Sequence, residues 1–428
     1  MHLNPDIARL LEELNHPSLP GIDLSLERMM QLLEALGNPH TQLPSVIHAA
    51  GTNGKGSTLA FLQAIYTEAG YRVHRYTSPH LVHFNERITL AGNDIDDATL
   101  WQHLQRVHAP AQKIPVTFFE ATTALAFLAF ANTAADVLLL ETGMGGRLDA
   151  TNVIAAPLAT IITPIDYDHM EFLGGTIAKI AGEKAGIIKH ARPCIVGKQP
   201  ADALAVLDAV AHERHTQCTA HGREWSYAVA DGALSVTQAS DRWELPLPAL
   251  AGSHQQHNAA LASVVVRALL PSLPVSEEAM RNGVRSARWP ARLQQLKYGP
   301  LVEAWGQRGD VMLDGGHNPS AARVLADWLS QQRAPVTLLC GMMRRKDAQA
   351  FLQPLAPYLS AFVGVPIAQQ DAYDPATLAQ CARAAGIENA EYVETLSAFA
   401  DRCGNNTAGT LLIAGSLFLA GDVLKNHS

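Results

Sequence analysis

The feature that most narrows the fold is a glycine-rich segment, Gly51-Thr52-Asn53-Gly54-Lys55-Gly56-Ser57. It stands between an apolar run, Ser45 to Ala50, and a helix-patterned segment, Thr58 to Ala69. A short apolar run bounded by glycine reads as a buried strand, and a strand that turns straight into a helix opens an α/β unit. Glycines let successive N–H groups point inward, the helix N-terminus adds positive potential, and Lys55 supplies a point charge. A triphosphate fits that arrangement. The strict pattern G-x-x-x-x-G-K-[ST] is broken twice, because position 49 is Ala and Gly56 separates Lys55 from Ser57. A plain turn with a surface lysine is the competing reading. The flanking strand and helix favour nucleotide binding, with Gly54, Lys55, Gly56, Ser57 and Thr58 as phosphate contacts.

The alternation of strand and helix continues. Val73–Thr77, Val137–Leu140 and Leu158–Thr163 are strand candidates, and Ile7–Leu14 and Leu26–Leu36 read as helices, the second closed by Gly37 and Pro39. This predicts an N-terminal P-loop-type doubly wound α/β domain. Ala220 to Pro248 is turn-rich and alternating, which fits a small antiparallel patch, and helical pattern returns from Asn258 to Leu270. Ser286 to Arg292 breaks periodicity with a proline and arginines, so the domains are placed at 1–288 and 289–428. Strands at Val311–Leu313, Val336–Cys340, Ala361–Val365, Ala390–Val393 and Thr410–Ala414 make the second domain a smaller Rossmann-like α/β unit.

Composition closes off several classes. A chain of 428 residues suits two domains or three. The net charge of −8 argues against broad phosphate neutralisation on a nucleic acid. Five cysteines at 194, 218, 340, 381 and 403 form no C-x-x-C pair, so no disulfide framework or cysteine zinc site is indicated. The N-terminus lacks the pattern of a signal peptide, and the most apolar stretch, Ala124 to Ala131, is too short to span a bilayer. A reducing, cytoplasmic setting without membrane contact is expected.

Two further groups carry chemistry. Glu141 ends the apolar strand Val137–Leu140, where ligand-facing residues of an open α/β sheet emerge, and glycines follow in Thr142-Gly143-Met144-Gly145-Gly146. It is a metal ligand or a strand end reaching water. Asp168-His169 follows the next strand and is a second metal candidate, or a structural histidine.

Gly51–Ser57, Ser78-Pro79-His80-Leu81 with Asn85-Glu86-Arg87-Ile88, Glu141 to Asn152, Asp168-His169, Glu183-Lys184-Ala185-Gly186-Ile187 and Asp314-Gly315-Gly316-His317-Asn318-Pro319 recur in that order. Together they resemble folylpolyglutamate synthase in its bacterial bifunctional dihydrofolate synthase form, a family of the Mur ligases. The likeness runs over nearly the whole chain. It implies an ATP-dependent carboxylate–amine ligase of folate biosynthesis that phosphorylates a pterin-linked carboxylate to an acyl phosphate. L-glutamate then attacks. The acceptors would be dihydropteroate and reduced folates, and the first domain would be the ATP-binding Mur ligase central-type domain with the pterin site.

Site residues follow from the same resemblance. Lys55, His169, Lys184 and Arg292 would be catalytic. Ser78, Glu141 and His169 would hold Mg²⁺, with two ions implied and a monovalent cation as a further candidate. Lys184 matches a carbamylated lysine; an unmodified lysine paired with Glu183 or with a phosphate is the alternative. With the loop, Asn258, Arg292, Asp314 and His317 would bind ATP, Asn258 at the adenine edge and Arg292 as a fork on the phosphates. Gly316 stands where alanine is common. The pterin site would draw on Ile22, Asp23 and Leu24, on Phe118, Phe119 and Glu120, and on Leu148, Asp149 and Ala150. Ser25 departs from the usual glycine beside the first group. Phe118 and Phe119 either stack on a planar ring or belong to the core of an edge strand.

Rival readings are a synthase of polyglutamates alone, a cell-wall ligase, and a non-ligase regulatory nucleotide-binding module. About 45 residues precede the first strand, too few for the extra N-terminal domain of the cell-wall enzymes. A regulatory module leaves Arg292, Asp314 and His317 unexplained. Nothing in the sequence demands more than a monomer.

Overall fold

The computed structural model describes residues 4–15, 25–306, 309–402 and 409–426. They fall into two compact units, Met1–Ala249 with Gln256–Arg288, and Leu250–Gln255 with Trp289–Ser428.

The first unit is built on β1 (Ser45–Ala50), β2 (Val73–Tyr76), β3 (Ile88–Leu90), β4 (Asn93–Asp94), β5 (Val137–Glu141), β6 (Ala159–Ile162), β7 (Cys194–Val196) and β8 (Cys218–Ala220). They form one sheet in the order β4-β3-β2-β5-β1-β6-β7-β8. From β2 to β8 the pairing is parallel, while β3 and β4 add an antiparallel edge. The central strands are apolar along their length because helices cover both faces, and β5 is buried throughout.

The apolar stretch noted in the sequence lies in the helix Phe118–Ala131, buried from Glu120 to Phe130. Being apolar all round, it belongs inside, and the helices Pro5–Asn15, Glu27–Ala35 and Asp97–Ala111 pack into the same core. Among the described residues no helix is long and apolar enough to cross a membrane. Phe118 and Phe119 therefore open a helix and are not part of an edge strand. The signal was present as Thr117-Phe118-Phe119-Glu120, a capping box: the Thr117 hydroxyl accepts the Glu120 N–H at 3.2 Å, and the Glu120 carboxylate accepts the Thr117 N–H at 2.6 Å.

The expected antiparallel patch is present as β9 (Trp225–Ala230), β10 (Ala233–Gln238) and β11 (Asp241–Pro246), with β10 central. In the second unit β12 (Gln294–Leu296), β13 (Val311–Leu313), β14 (Val336–Cys340), β15 (Ala361–Gly364), β16 (Ala390–Tyr392) and β17 (Thr410–Ala414) form a sheet ordered β12-β13-β17-β14-β15-β16. Only β12 runs antiparallel to its neighbour. Both sheets are of the doubly wound α/β kind that the alternation predicts.

The helix Lys55–Glu68, which follows the glycine loop, is backed by the helix Glu277–Ser286. Gly283 permits this approach, since a Cβ there would meet the backbone of Ile65. Replacing Gly283 by Ala is expected to cost about 1–3 kcal/mol through overpacking. Urea denaturation should show a lowered midpoint with an unchanged slope.

Candidate active site

Because β1 lies between β5 and β6, three loops meet where these strands end. The Thr142 N–H reaches the Ala49 carbonyl at 3.0 Å and the Thr163 N–H reaches that of Ala50 at 2.8 Å. Gly51 follows directly, and any side chain there would enter the space of Thr163. Thr52 Oγ1 donates to the Asp166 carbonyl and accepts the Asp166 N–H, both at 3.0 Å. The segment Thr163–Asp166 thus braces the glycine loop, a role the sequence reading passed over although Thr-Pro-Ile-Asp comes directly after a strand. Gly54 caps the helix at φ +90°, a conformation that glycine adopts without strain, and a Cβ on it would lie 2.8 Å from Asn258 Oδ1. Asn258 therefore sits against the loop within the first unit, and Gly56, Ser57 and Thr58 fill the first helical turn.

Two lysines converge on one carbonyl. Lys55 Nζ donates to the Gly51 oxygen at 3.0 Å and to that of Thr52 at 3.5 Å, and lies 3.9 Å from the Glu141 carboxylate. Lys184 Nζ donates to the same Gly51 oxygen at 2.8 Å. Burial, with the charge of Lys55 adding to it, pulls the Lys184 pKa down to about 7. An ion pair of Lys184 with Glu183, the alternative left open by the sequence, does not form. Consecutive helical residues face different sides, and Glu183 pairs with Arg147 at 2.8 Å instead. Gly146 and Gly186 let these two segments touch backbone to backbone, with the Arg147 N–H on the Glu183 carbonyl at 2.7 Å.

Glu141 ends β5, and the register Tyr76↔Leu140 brings the Ser78 loop out at the same edge of the sheet. The loop is shaped by Glu86, whose carboxylate accepts the N–H groups of Leu81, Val82 and His83 at 2.7, 2.9 and 2.7 Å. His169 follows β6 in a left-handed conformation, φ +50°, and its N–H reaches Asp168 Oδ1 at 2.9 Å. Among the described residues no three His, Cys, Asp or Glu side chains gather. A hydroxyl, a carboxylate and an imidazole fit a divalent ion that keeps phosphate and water oxygens for its remaining positions.

The Phe119 ring lies over Gly143, so the capped helix and the glycine segment after β5 share a wall. Phe118 meets Phe84 edge-on at 6.4 Å and carries Arg87 over its face at 5.7 Å. Beyond the capping box, Glu120 binds Arg28 at 3.1 Å. Asp149 shapes its own loop, accepting the N–H of Met144 at 2.8 Å and of Thr151 at 3.0 Å, and the Thr151 hydroxyl at 2.5 Å. That hydroxyl has one proton and gives it to Asp149. His48 Nε2, 2.8 Å from Thr151 Oγ1, must therefore be the donor in their bond, which fixes the tautomer of this buried imidazole. Leu148 and Ala150 flank Asp149, whereas Ile22, Asp23 and Leu24 lie outside the described residues.

In the second unit Arg292 stands between two left-handed residues, Ala291 at φ +54° and Leu293 at φ +44°. Such outliers persist where surrounding structure over-determines them. Asp314 accepts the N–H groups of Leu293 and Gly316 at 2.8 and 2.7 Å; burial raises its pKa and the charge of Arg292 opposes the rise. His317 Nδ1 lies 2.9 Å from the Gly315 carbonyl, so Nδ1 carries its proton. An alanine at Gly316 would place its Cβ 2.8 Å from Asp314 Oδ1, which accounts for glycine here.

Comparison with known proteins shows the family. Residues 49–266 match the model of the Mur ligase middle domain, and residues 294–426 that of the dihydrofolate synthetase C-terminal domain. The Bacillus subtilis dihydrofolate synthase/folylpolyglutamate synthase is 34% identical, over 95% of each chain. The chain belongs to the dihydrofolate synthase/folylpolyglutamate synthase family. Among solved structures of this family, E. coli FolC in complex with DHPP and ADP superposes with a TM-score of 0.88 at 31% identity, covering 98% of this chain and 97% of that one. A bifunctional folylpolyglutamate synthase/dihydrofolate synthase with Mn, AMPPNP and L-glutamate bound gives 0.85 at 30% identity, with 98% and 97% covered.

Lys184 gives this family member a definite pH signature. Its folded pKa lies below the ordinary 10.5, so between about pH 7 and 10.5 the unfolded chain holds the extra proton. Stability should then rise with pH across that window. In carbonate-free buffer, the urea midpoint of the wild type should climb from pH 7 to pH 9 relative to Lys184→Met.

Proposed function

We propose that this chain is an ATP-dependent ligase that joins L-glutamate to 7,8-dihydropteroate, forming dihydrofolate, and to reduced folates, extending their glutamate tail. The observation that carries this reading is the meeting, at the ends of three adjacent parallel strands, of the glycine loop, Glu141 and the two lysines on the Gly51 carbonyl.

A carboxylate resists attack by an amine, because its charge repels the nucleophile and its oxygen leaves badly. Transfer of the γ-phosphoryl group of ATP gives an acyl phosphate, and the amine of glutamate then expels phosphate to form the amide. Little covalent work is left to the protein, which has to position the reactants and stabilise charge. Lys55 and the N–H groups of the loop would hold the β- and γ-phosphates, with Asn258 beside them. Ser78, Glu141 and His169 would hold Mg²⁺, which supplies neutralisation of the triphosphate charge when bound. The ATP-binding domain with the pterin site would span 1–288 and the ligase domain 289–428. From the latter Arg292 would present its fork to phosphate, with Asp314 and His317 completing the nucleotide contacts. Phe118, Phe119 and the loop Leu148–Ala150 would line the pterin site, Glu120 and Asp149 by holding its walls.

Lys184 would act as a carbamate. Carbamylation needs a neutral amine, and a pKa of about 7 supplies one near neutrality. Carbon-13 NMR after exposure to labelled bicarbonate should show one carbamate signal that Lys184→Met lacks. The protein would act as a monomer in the cytoplasm, without nucleic acid, the last in keeping with a net charge of −8.

The test is ADP release with Mg-ATP and L-glutamate, comparing dihydropteroate with tetrahydrofolate. Turnover with both is expected. Turnover with tetrahydrofolate alone leaves a polyglutamate synthase, and turnover with neither overturns the reading. Lys55→Ala should lower the rate at least about a hundredfold, in line with loss of a transition-state contact, while the fold is kept.

A further inference from the structure

Arg87 is 8% exposed, and a guanidinium so deeply buried is ordinarily matched by a carboxylate. Among the described residues none forms an ion pair with it. Its Nε donates to His80 Nδ1 at 2.9 Å, and its charge lies over the rings of Phe84 and Phe118 at 5.6 and 5.7 Å. Glu86, its neighbour in sequence, has its carboxylate turned to the N–H groups of Leu81, Val82 and His83. His80 brings no counter-charge either. Its Nδ1 accepts the Arg87 N–H, so the ring carries its proton on Nε2 and offers no negative charge.

Two ring faces attract a cation but do not neutralise it. Of the five N–H donors of the guanidinium, the one on Nε is used, and the terminal nitrogens bond to none of the described residues. The position of the group narrows what would use them. On one side is Phe118, beside the wall that Phe119 and Gly143 form. On the other is His80, in the loop that leaves β2 through Ser78. A carboxylate awaiting phosphorylation must lie between the acceptor wall and the phosphate-binding edge of the sheet.

We propose that Arg87 binds the carboxylate of the pteroate-type acceptor through its terminal nitrogens. The planar fork matches two carboxylate oxygens, and the rings of Phe84 and Phe118 hold it in that plane. The proposal rests on the ligase reading above and adds to it a residue that decides between charged and uncharged acceptors.

Calorimetric titration with dihydropteroate and with its methyl ester, in the presence of Mg-ADP, tests this in the wild type, Arg87→Gln and Arg87→Lys. The wild type should prefer the acid. Arg87→Gln should lose about 30-fold or more for the acid and little for the ester, as expected when one partner of a buried charge pair is removed. Arg87→Lys keeps a cation over the rings without the fork and should fall between, which settles the matter if the Gln variant does not fold. Equal losses for acid and ester would make Arg87 a structural residue and overturn the proposal, as would an unchanged acid-to-ester ratio in the Lys variant. A wild type that binds neither compound overturns the ligase reading itself, and the proposal with it.

Discussion

One carbonyl oxygen organises the first unit. The Gly51 carbonyl accepts from Lys55, which begins the helix after the loop, and from Lys184, which comes from a helix far along the chain. Two like charges are thereby held against one another in a buried place. The arrangement survives because the carbonyl is a strong acceptor and because desolvation has already weakened the hold of Lys184 on its proton. Without the left-handed Gly54 the helix would not start where Lys55 can fold back. Without the approach of Gly146 to the Lys184 backbone the second lysine would not arrive. Glycine is used here to let backbones meet, and the charged groups are aimed by those meetings.

The segments around Phe118 and Asp149 follow another rule. Their acidic residues serve as internal fasteners: Glu120 closes a capping box and binds Arg28, Glu86 gathers three amides, and Asp149 ties its own loop. Charged groups so engaged hold the backbone of their own segments in place. Arg87 stands apart: among the described residues no carboxylate pairs with it, and Glu86, Glu120 and Asp149 are engaged elsewhere.

What the sequence made legible was whatever is local. A strand, a glycine turn and a helix lie together along the chain, so the glycine loop, Glu141 at the end of β5 and the strands of the second unit were readable from periodicity and punctuation. The insertion of β5 between β2 and β1 was not, because parallel pairing joins segments some ninety residues apart. Everything that depends on that insertion was hidden with it. Thr163 and Asp166 brace the loop only because β6 lies on the other side of β1. The Glu183 pairing left open as an alternative for Lys184 falls for a local reason: the helix turns the two side chains apart, and Glu183 pairs with Arg147. The capping box at Thr117 was readable, but aromatic residues beside an apolar run suggested a strand until the buried length of the helix decided otherwise.

The chain of His48, Thr151 and Asp149 has a consequence for how this sequence can drift. The single hydroxyl proton of Thr151 is committed to Asp149, so the imidazole must donate and Thr151 must receive. Valine at 151 would strand a donor on one side and an acceptor on the other. Asparagine at 149 would present an amide where the hydroxyl proton now arrives, unless its oxygen kept that place and its nitrogen turned against the Met144 N–H. Each single step passes through a buried mismatch. The three positions thus behave as one heritable unit, closed to piecemeal change and closed also to an apolar trio, which would leave the N–H groups of Met144 and Thr151 without their acceptor.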